Sequence, residues 1–193
     1  NTGSNRLQNF IGSLSGANEK NSFYLGLERF HTDGISAMTH NSEKDRYRNN
    51  SLVAKYDYKF TDKLKLKSNL RFADTYLQYD KVIDTATATH DEEADGTESS
   101  YKISMIYDVN EKFTNNLNFA NTYIKRVYGA TSNSGNPLQD NYYGERYALS
   151  YAGNYNFNLD NSLVFGIERE DDQIGYNKDL SGMSHKAFYT TSS

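Results

Sequence analysis

A strict alternation of apolar and basic residues between Lys63 and Tyr76 constrains the fold of this chain more than any other feature of its sequence. Leucine and aromatic residues fall on even positions of this segment, whereas its lysines and Arg71 fall on odd positions. Successive side chains of a β-strand point to opposite faces, so a strand here has one apolar face and one basic face. A helix would scatter both sets around its circumference. The segment is therefore predicted to be a β-strand.

The same period-two pattern recurs along most of the chain, which predicts eight or nine strands in all. The further predicted strands are Arg6–Leu14, Phe23–Glu28, Leu52–Phe60, Tyr101–Val109, Phe113–Tyr123, Tyr143–Phe157, Leu163–Glu168 and one that begins near His185.

Connections of two kinds alternate between these strands. Short turns rich in Asn and Asp are predicted at 16–20, 60–63, 109–112 and 157–161, and residues of these types favour turns. Long polar links are predicted at 31–46, 78–98, 127–142 and 171–184. The turns recur at intervals of 44 to 50 residues, measured between Asn18, Asp62, Asn110 and Asp160. Two long strands per interval indicate antiparallel hairpins rather than propeller blades, which have four short strands.

Composition excludes several classes of protein. The chain has no cysteine, which excludes disulfides and cysteine-based zinc sites, and no run of eighteen apolar residues that would form a transmembrane helix. Its net charge is −4 with both signs interspersed, so no nucleic-acid partner is expected. A transmembrane barrel stays open despite a mean hydropathy of −0.84, because barrel strands expose only half of their residues to lipid.

Alternation alone does not separate a soluble β-sandwich from a membrane barrel, but three details favour the barrel. Full charges occupy the polar face in mid-strand, where Glu28, Lys65, Lys67 and Arg71 are predicted to face a wet lumen. Long loops at one end and tight turns at the other are the asymmetry of such barrels. Aromatic residues also cluster at both strand ends, near the turns and near the links. The aromatics are Phe23, Tyr58, Phe60, Phe113, Tyr155 and Phe157 near the turns, and Tyr76, Tyr79, Tyr123, Tyr128, Tyr142 and Tyr143 near the links.

We therefore expect residues 1–193 to be part of a single all-β domain, an antiparallel up-and-down transmembrane β-barrel. The cations of Lys63–Arg71 would crowd a closed eight-stranded barrel, whose interior is filled by side chains, so an arc of a larger barrel fits better. The chain begins with Asn1 rather than an initiator Met or a signal peptide, and we expect it to be an internal fragment.

Four segments resemble TonB-dependent outer-membrane receptors, particularly the cobalamin-receptor branch. They are 3–10 (GSNRLQNF), 28–36 (ERFHTDGIS), 113–117 (FTNNL) and 161–168 (NSLVFGIE). The resemblance implies a 22-stranded barrel in the outer membrane of a Gram-negative bacterium, with outer-membrane lipid around it and its own plug domain inside. It also implies energy coupling to the TonB complex through a part of the protein outside this chain, and import of a scarce small-molecule ligand of the cobalamin or iron-siderophore class.

Binding rather than catalysis is expected, because no histidine lies within a predicted strand and no phosphate-binding glycine loop occurs. A passive porin or substrate-selective channel is the first alternative, and a soluble sandwich or surface adhesin module the second. Loop residues able to stack or to hydrogen-bond are the candidates for ligand contact. They are Tyr79, Asp80, Tyr128, Asn133, Asn136 and Tyr142.

The acidic segment between Asp80 and Glu98 is a candidate calcium loop. Asp91, Glu93, Asp95 and Gly96 match the first half of such a loop, but the twelfth position is Lys102 rather than a bidentate Glu, so an EF-hand is excluded. The resemblance adds that some cobalamin receptors order their ligand loops with calcium. The candidate calcium ligands are Asp80, Asp84, Asp91, Glu93 and Asp95, and no other cofactor is expected.

Overall fold

Nine antiparallel strands form one sheet in the computed structural model, which describes residues 2–35, 44–82, 89–130, 139–177 and 179–192. Each strand pairs with its neighbours in the sequence, so the sheet is an up-and-down meander, as predicted. The strands are β1 (Gln8–Ala17), β2 (Asn21–Thr32), β3 (Tyr47–Lys59), β4 (Leu64–Val82), β5 (Thr89–Asn110), β6 (Phe113–Ala130), β7 (Gln139–Asn156), β8 (Ser162–Tyr176) and β9 (Asp179–Ser192). No helix in the described part of the chain is long and apolar enough to cross a membrane.

The four short turns are confirmed, and one side chain organises each of them. The Asn18 Oδ1 atom accepts hydrogen bonds from the backbone N–H groups of Lys20 and Asn21, at 2.9 and 2.8 Å. Asn110, Asn158 and Thr61 repeat the arrangement in the other three turns. These local bonds satisfy backbone donors that the ladder leaves unpaired, which is why residues of this type recur there.

Two of the four predicted long links, 78–98 and 171–184, are wrong because strands occupy most of them, and strands occupy half of a third, 127–142. β4 and β5 extend into the 78–98 link, and β6 and β7 extend into 127–142. The 171–184 link contains the end of β8 and the start of β9, which are separated only by residues 177–178. The register of the strand pairs continues throughout these extensions, although their sequences do not alternate between apolar and polar residues. Backbone pairing, rather than an apolar pattern, defines them.

The register assigns every residue to one of two faces. The apolar face carries a belt of leucine, isoleucine and aromatic side chains, and on β4 this belt extends over the nine residues from Leu64 to Phe72. About 9–11 residues suffice for a tilted strand to cross the hydrocarbon of a bilayer. Leu70, within the belt, is 41% exposed, and the nine strands form one sheet with no second sheet packed on it in the described residues. The sandwich alternative is therefore wrong, because a sandwich buries these side chains between two sheets.

The belt is displaced steadily from strand to strand. Its upper end is Phe10 on β1, which shares a row of the sheet with Asp74 of β4. On β8 its upper end is Ile167, which shares a row with Leu66. The displacement is eight residues along β4 across the seven steps from β1 to β8. A barrel requires such a stagger because its strands tilt relative to its axis.

The aromatics near the short turns form a girdle with polar ends. The Tyr56 hydroxyl donates a hydrogen bond to Asn21 Oδ1, and that of Tyr151 donates to Asn115 Oδ1. Ring contacts join Tyr58 with Phe60 and Tyr155 with Phe157. At the opposite end the prediction is partly wrong. Tyr79, Tyr128 and Tyr142 lie on the polar face and do not belong to a girdle.

Candidate functional site

Four tyrosines line the polar face at the loop end of the sheet, beyond the apolar belt. We call this set the tyrosine row: Tyr79 on β4, Tyr128 on β6, Tyr142 on β7 and Tyr176 on β8. The ring centroids of Tyr128 and Tyr142 are 5.8 Å apart, and those of Tyr142 and Tyr176 are 5.0 Å apart. Tyr79 and Tyr128 lie on either side of β5, opposite Glu92 and Ala94, which are successive residues of the polar face.

The tilt of the strands brings these tyrosines to a similar height above the belt. Tyr79 is seven residues beyond Phe72, the last belt residue of β4, and Tyr176 is nine residues beyond Ile167, the last of β8. The tyrosine row therefore follows the rim of the barrel wall rather than a single row of the sheet.

Carboxylates flank both ends of the tyrosine row. The Tyr79 hydroxyl donates to Glu92 Oε2 at 2.8 Å, and the Tyr176 hydroxyl donates to Asp140 Oδ1. Burial, together with the Glu92 hydrogen bond, raises the pKa of Tyr79 to about 12. The hydrogen bond to Asp140, together with burial, raises the pKa of Tyr176. Both phenols are therefore neutral at physiological pH, with carboxylates held beside their rings.

The exposed rings give the tyrosine row its binding capacity. Tyr142 is 46% exposed and Tyr176 is 45% exposed. Arg126 lies directly opposite Tyr142 in the register and is 3.6 Å from Glu98, which balances its charge. Aromatic faces beside carboxylate acceptors can stack on a planar group and accept hydrogen bonds from it.

Three of the six predicted ligand-contact residues, Tyr79, Tyr128 and Tyr142, come together in this row. Asp80 lies in β4 with its backbone paired to Asp91. Asn133 and Asn136 lie outside the described residues. Sequence reasoning missed Tyr176 because it treated 171–184 as a loop. The β8 sequence offers no alternation signal for it, because Asp171, Asp172 and Gln173 are polar on both faces and Ile174 falls on the polar-face parity.

A second polar cluster lies on the apolar face just beyond the belt, and two of the predicted calcium ligands belong to it. The Tyr76 hydroxyl donates to Glu93 Oε2 at 2.9 Å. Arg48 lies 3.6 Å from an oxygen of Asp74 and 5.7 Å from the centroid of the Tyr76 ring. Burial, and then the nearby charge of Glu93, raises the pKa of Asp95. The carboxylates of Glu93 and Asp74 therefore already have protein partners, Tyr76 and Arg48.

The calcium loop predicted for Asp80–Glu98 is wrong as a loop. Asp91, Glu93 and Asp95 lie in the extended strand β5, and a strand does not fold the convergent loop that calcium sites of this kind use. Asp84 lies outside the described residues, and the described part of the chain holds no group of three side chains able to bind a metal. The structure does not show the convergent loop in the described residues, and calcium binding stays a prediction.

All four predicted lumen residues, Glu28, Lys65, Lys67 and Arg71, lie on the polar face. Lys65 is 3.6 Å from Asp108. Lys67 and Arg71 are exposed, and no carboxylate among the described residues pairs with either. The register places Lys55 and Lys102 beside them. We call Lys55, Lys67, Arg71 and Lys102 the basic patch.

The polar face carries the opposite charge farther along the sheet. Glu168, Glu170 and Asp172 alternate along β8 on this face. Arg146 of β7 donates two hydrogen bonds to the Asp172 carboxylate, at 2.6 and 2.8 Å, and lies 3.9 Å from Glu170. The polar face is therefore positive on β3–β5 and negative on β8, which gives any element that packs on it a defined orientation.

No protein-family model matches the chain, and no curated protein matches it. Solved structures do. BauA, the ferric preacinetobactin receptor from Acinetobacter baumannii, matches with a TM-score of 0.61 at 12% identity, over 95% of this chain and 36% of that one. The fold of this chain is that of an arc of the BauA barrel. Fiu, the ferric-catecholate import receptor from E. coli K12, matches with a TM-score of 0.49 at 9% identity, over 97% of this chain and 43% of that one.

The comparison with BauA confirms the predicted fold class. It also shows how much of such a barrel this chain provides. The nine strands superpose on a part of the BauA barrel, so the chain spans about a third of that receptor's length. At 12% identity the likeness concerns the fold, and the total number of strands, 22, stays a prediction.

Proposed function

We propose that this chain is part of the barrel of an outer-membrane receptor that imports a scarce ligand by TonB-coupled active transport. The tyrosine row is the observation that carries this proposal. It combines exposed rings with hydrogen-bond acceptors on the polar face, at the rim of a barrel wall of receptor fold. Binding surfaces favour tyrosine because it offers a large contact area at low entropic cost. The proposed role of the chain is binding, without catalysis.

The proposed ligand is an iron–siderophore complex rather than cobalamin. The structure neighbour that shares the fold is a ferric preacinetobactin receptor, and this supports the siderophore class. The sequence resemblance to the cobalamin branch rests on degenerate strand motifs and has less weight.

The proposed location is the outer membrane of a Gram-negative bacterium, with lipid against the apolar belt. The belt supports this because it exposes large side chains such as Leu27, Leu70 and Phe119. Monomeric soluble proteins rarely expose contiguous apolar patches larger than a few hundred Å².

Energy dependence separates active import from the passive-channel alternative. We expect uptake of ⁵⁵Fe, supplied as siderophores recovered from iron-limited culture medium, to stop when a protonophore collapses the inner-membrane potential. A deletion strain complemented with the full-length parent gene gives the measurement, and the uncomplemented strain gives the background. Uptake that continues unchanged in protonophore-treated cells would favour a passive channel, because diffusion through an open pore needs no inner-membrane energy.

The basic patch is proposed to face a plug domain through the carboxylates of that domain. Replacing Lys67 and Arg71 of the patch, together with their neighbour Lys65, by alanine is expected to loosen plug packing in the intact receptor, because it removes three cations from the polar face. Engineered-cysteine crosslinking between plug and barrel wall is expected to fall several-fold. Ser13, Ser15 and Ser100 replaced together by alanine, on the same face, provide the uncharged control. Unchanged crosslinking in the triple-alanine variant contradicts this contact.

A further inference from the structure

An open groove lies on the apolar face at the upper edge of the belt, on β1–β4. It encloses about 500 Å³, within the range of about 300–1,000 Å³ that small-molecule sites occupy. We call it the rim groove, and the side chains of the belt that line it are Phe10, Leu27, Leu52 and Phe72. Gly12 also lines it.

The absence of a side chain at Gly12 opens the groove. Gly12, Leu27, Leu52 and Phe72 share one row of the sheet, so a residue at position 12 would fill the gap between Phe10 and Leu27. A Cβ atom built on Gly12 meets no atom within 4 Å. The lining is mostly apolar, and it is completed by Ile11, Glu28 and Ser51, whose register positions belong to the opposite face.

A cation marks the upper end of the rim groove. Arg29 lines the groove in the row above Leu27, beside Asn50. It is exposed, and no carboxylate among the described residues pairs with it. Asp74, the acidic residue of the same row, pairs with Arg48 instead. Arg169, which occupies the corresponding rim position on β8, differs because its guanidinium is 2.9 Å from Asp171.

We infer that the rim groove binds a membrane lipid, with an acyl chain between Phe10 and Leu27 and a headgroup phosphate on Arg29. The inference rests on the proposed membrane location. The belt ends where hydrocarbon gives way to headgroups, so an unpaired guanidinium at this rim lies at phosphate height. A guanidinium binds phosphate through paired, charge-assisted hydrogen bonds. Asn50 supplies a further donor beside it.

The test measures the lipid retained by the full-length protein after extraction from the outer membrane in mild detergent. Native mass spectrometry is expected to show a phosphate-bearing lipid bound to the wild-type protein. Arg29→Gln removes the cation, and Gly12→Phe fills the groove. Each is expected to lower lipid occupancy about tenfold, the ratio that the loss of a single charge-assisted bond gives.

Two matched variants test the specificity of the site. Arg169→Gln removes a rim cation that lies outside the groove, and Met105→Phe enlarges a belt residue elsewhere on the apolar face. Both are expected to keep occupancy within about twofold of wild type, since neither touches the lining. Equal lipid loss in all four variants overturns the inference, as does a wild-type protein that carries no lipid. Binding of inorganic phosphate alone, without lipid retention, overturns it too.

The outcomes separate this inference from the proposed function. A protein that fails to sediment with outer membranes contradicts the proposed location itself. A protein that is inserted in the membrane but carries no lipid contradicts the rim groove alone.

Discussion

Leu70→Arg is expected to destabilise the folded protein in lipid by about 2 kcal/mol, the lower end of the cost of an arginine within the hydrocarbon on the lipid face of a barrel. Leu70 lies on β4 one apolar position inside Phe72, the upper end of the belt, within a row that also contains Ala54 and Tyr101. The proposed location surrounds that row with acyl chains, which solvate a guanidinium poorly. The free energy of unfolding of the full-length protein in lipid vesicles, followed by circular dichroism during guanidinium titration, gives the measurement.

The neighbouring substitution Asn69→Arg is the matched control. Asn69 is exposed on the polar face between Lys55 and Lys102, so an added arginine there meets water and like charges rather than lipid. We expect a cost below about 1 kcal/mol, as for an exposed surface charge. Equal costs at positions 69 and 70 would refute the assignment of the two faces. A tolerated arginine at position 70 would refute contact with lipid.

The belt-spanning parts of the strands could be predicted from the sequence because each has one apolar and one polar face. Leu64–Phe72 alternates cleanly, and the structure confirms a strand there. Beyond the belt both faces of β4 and β5 are polar, and the alternation that signals a half-buried strand disappears. The 78–98 and 171–184 segments were therefore predicted as loops. Only the pairing of each residue with a partner strand shows that they are strands.

Three of the four tyrosines of the candidate site could be chosen from the sequence, but not their grouping. Tyr79 and Tyr128 lie 49 residues apart, and their proximity depends on the register of two strand pairs, β4–β5 and β5–β6. Period-two parity nevertheless predicts which face each charge occupies once a strand is recognised. Lys65, Lys67 and Arg71 lie on the predicted face for this reason. The groups that these three cations contact in the intact protein depend on the rest of the barrel interior, which lies outside this chain.

Tyr142→Ala is expected to raise the half-saturation concentration for siderophore-bound ⁵⁵Fe uptake about 30-fold. The ring of Tyr142 lies between those of Tyr128 and Tyr176, and its removal breaks the tyrosine row at its centre. An exposed aromatic at the centre of a binding surface contributes about 2 kcal/mol, which corresponds to about 30-fold in affinity. The double variant Tyr128→Ala/Tyr142→Ala is expected to lose more than either single variant and less than their product, because the two rings are in contact.

Tyr143→Ala is the matched control for Tyr142→Ala, because the two positions differ only in the face of the strand on which they lie. Tyr143 is the next residue of β7, at the same height, but it pairs with Lys125 and Gly175 on the apolar face. Its removal is expected to leave half-saturation within about twofold of wild type, since additivity holds between separated sites. Tyr142→Phe is expected to retain most of the affinity, because the ring contacts remain and the hydroxyl of Tyr142 has no role in the Glu92 and Asp140 hydrogen bonds. If positions 142 and 143 respond alike, the ligand does not bind the polar face at this rim, and the proposed binding role of the tyrosine row is wrong.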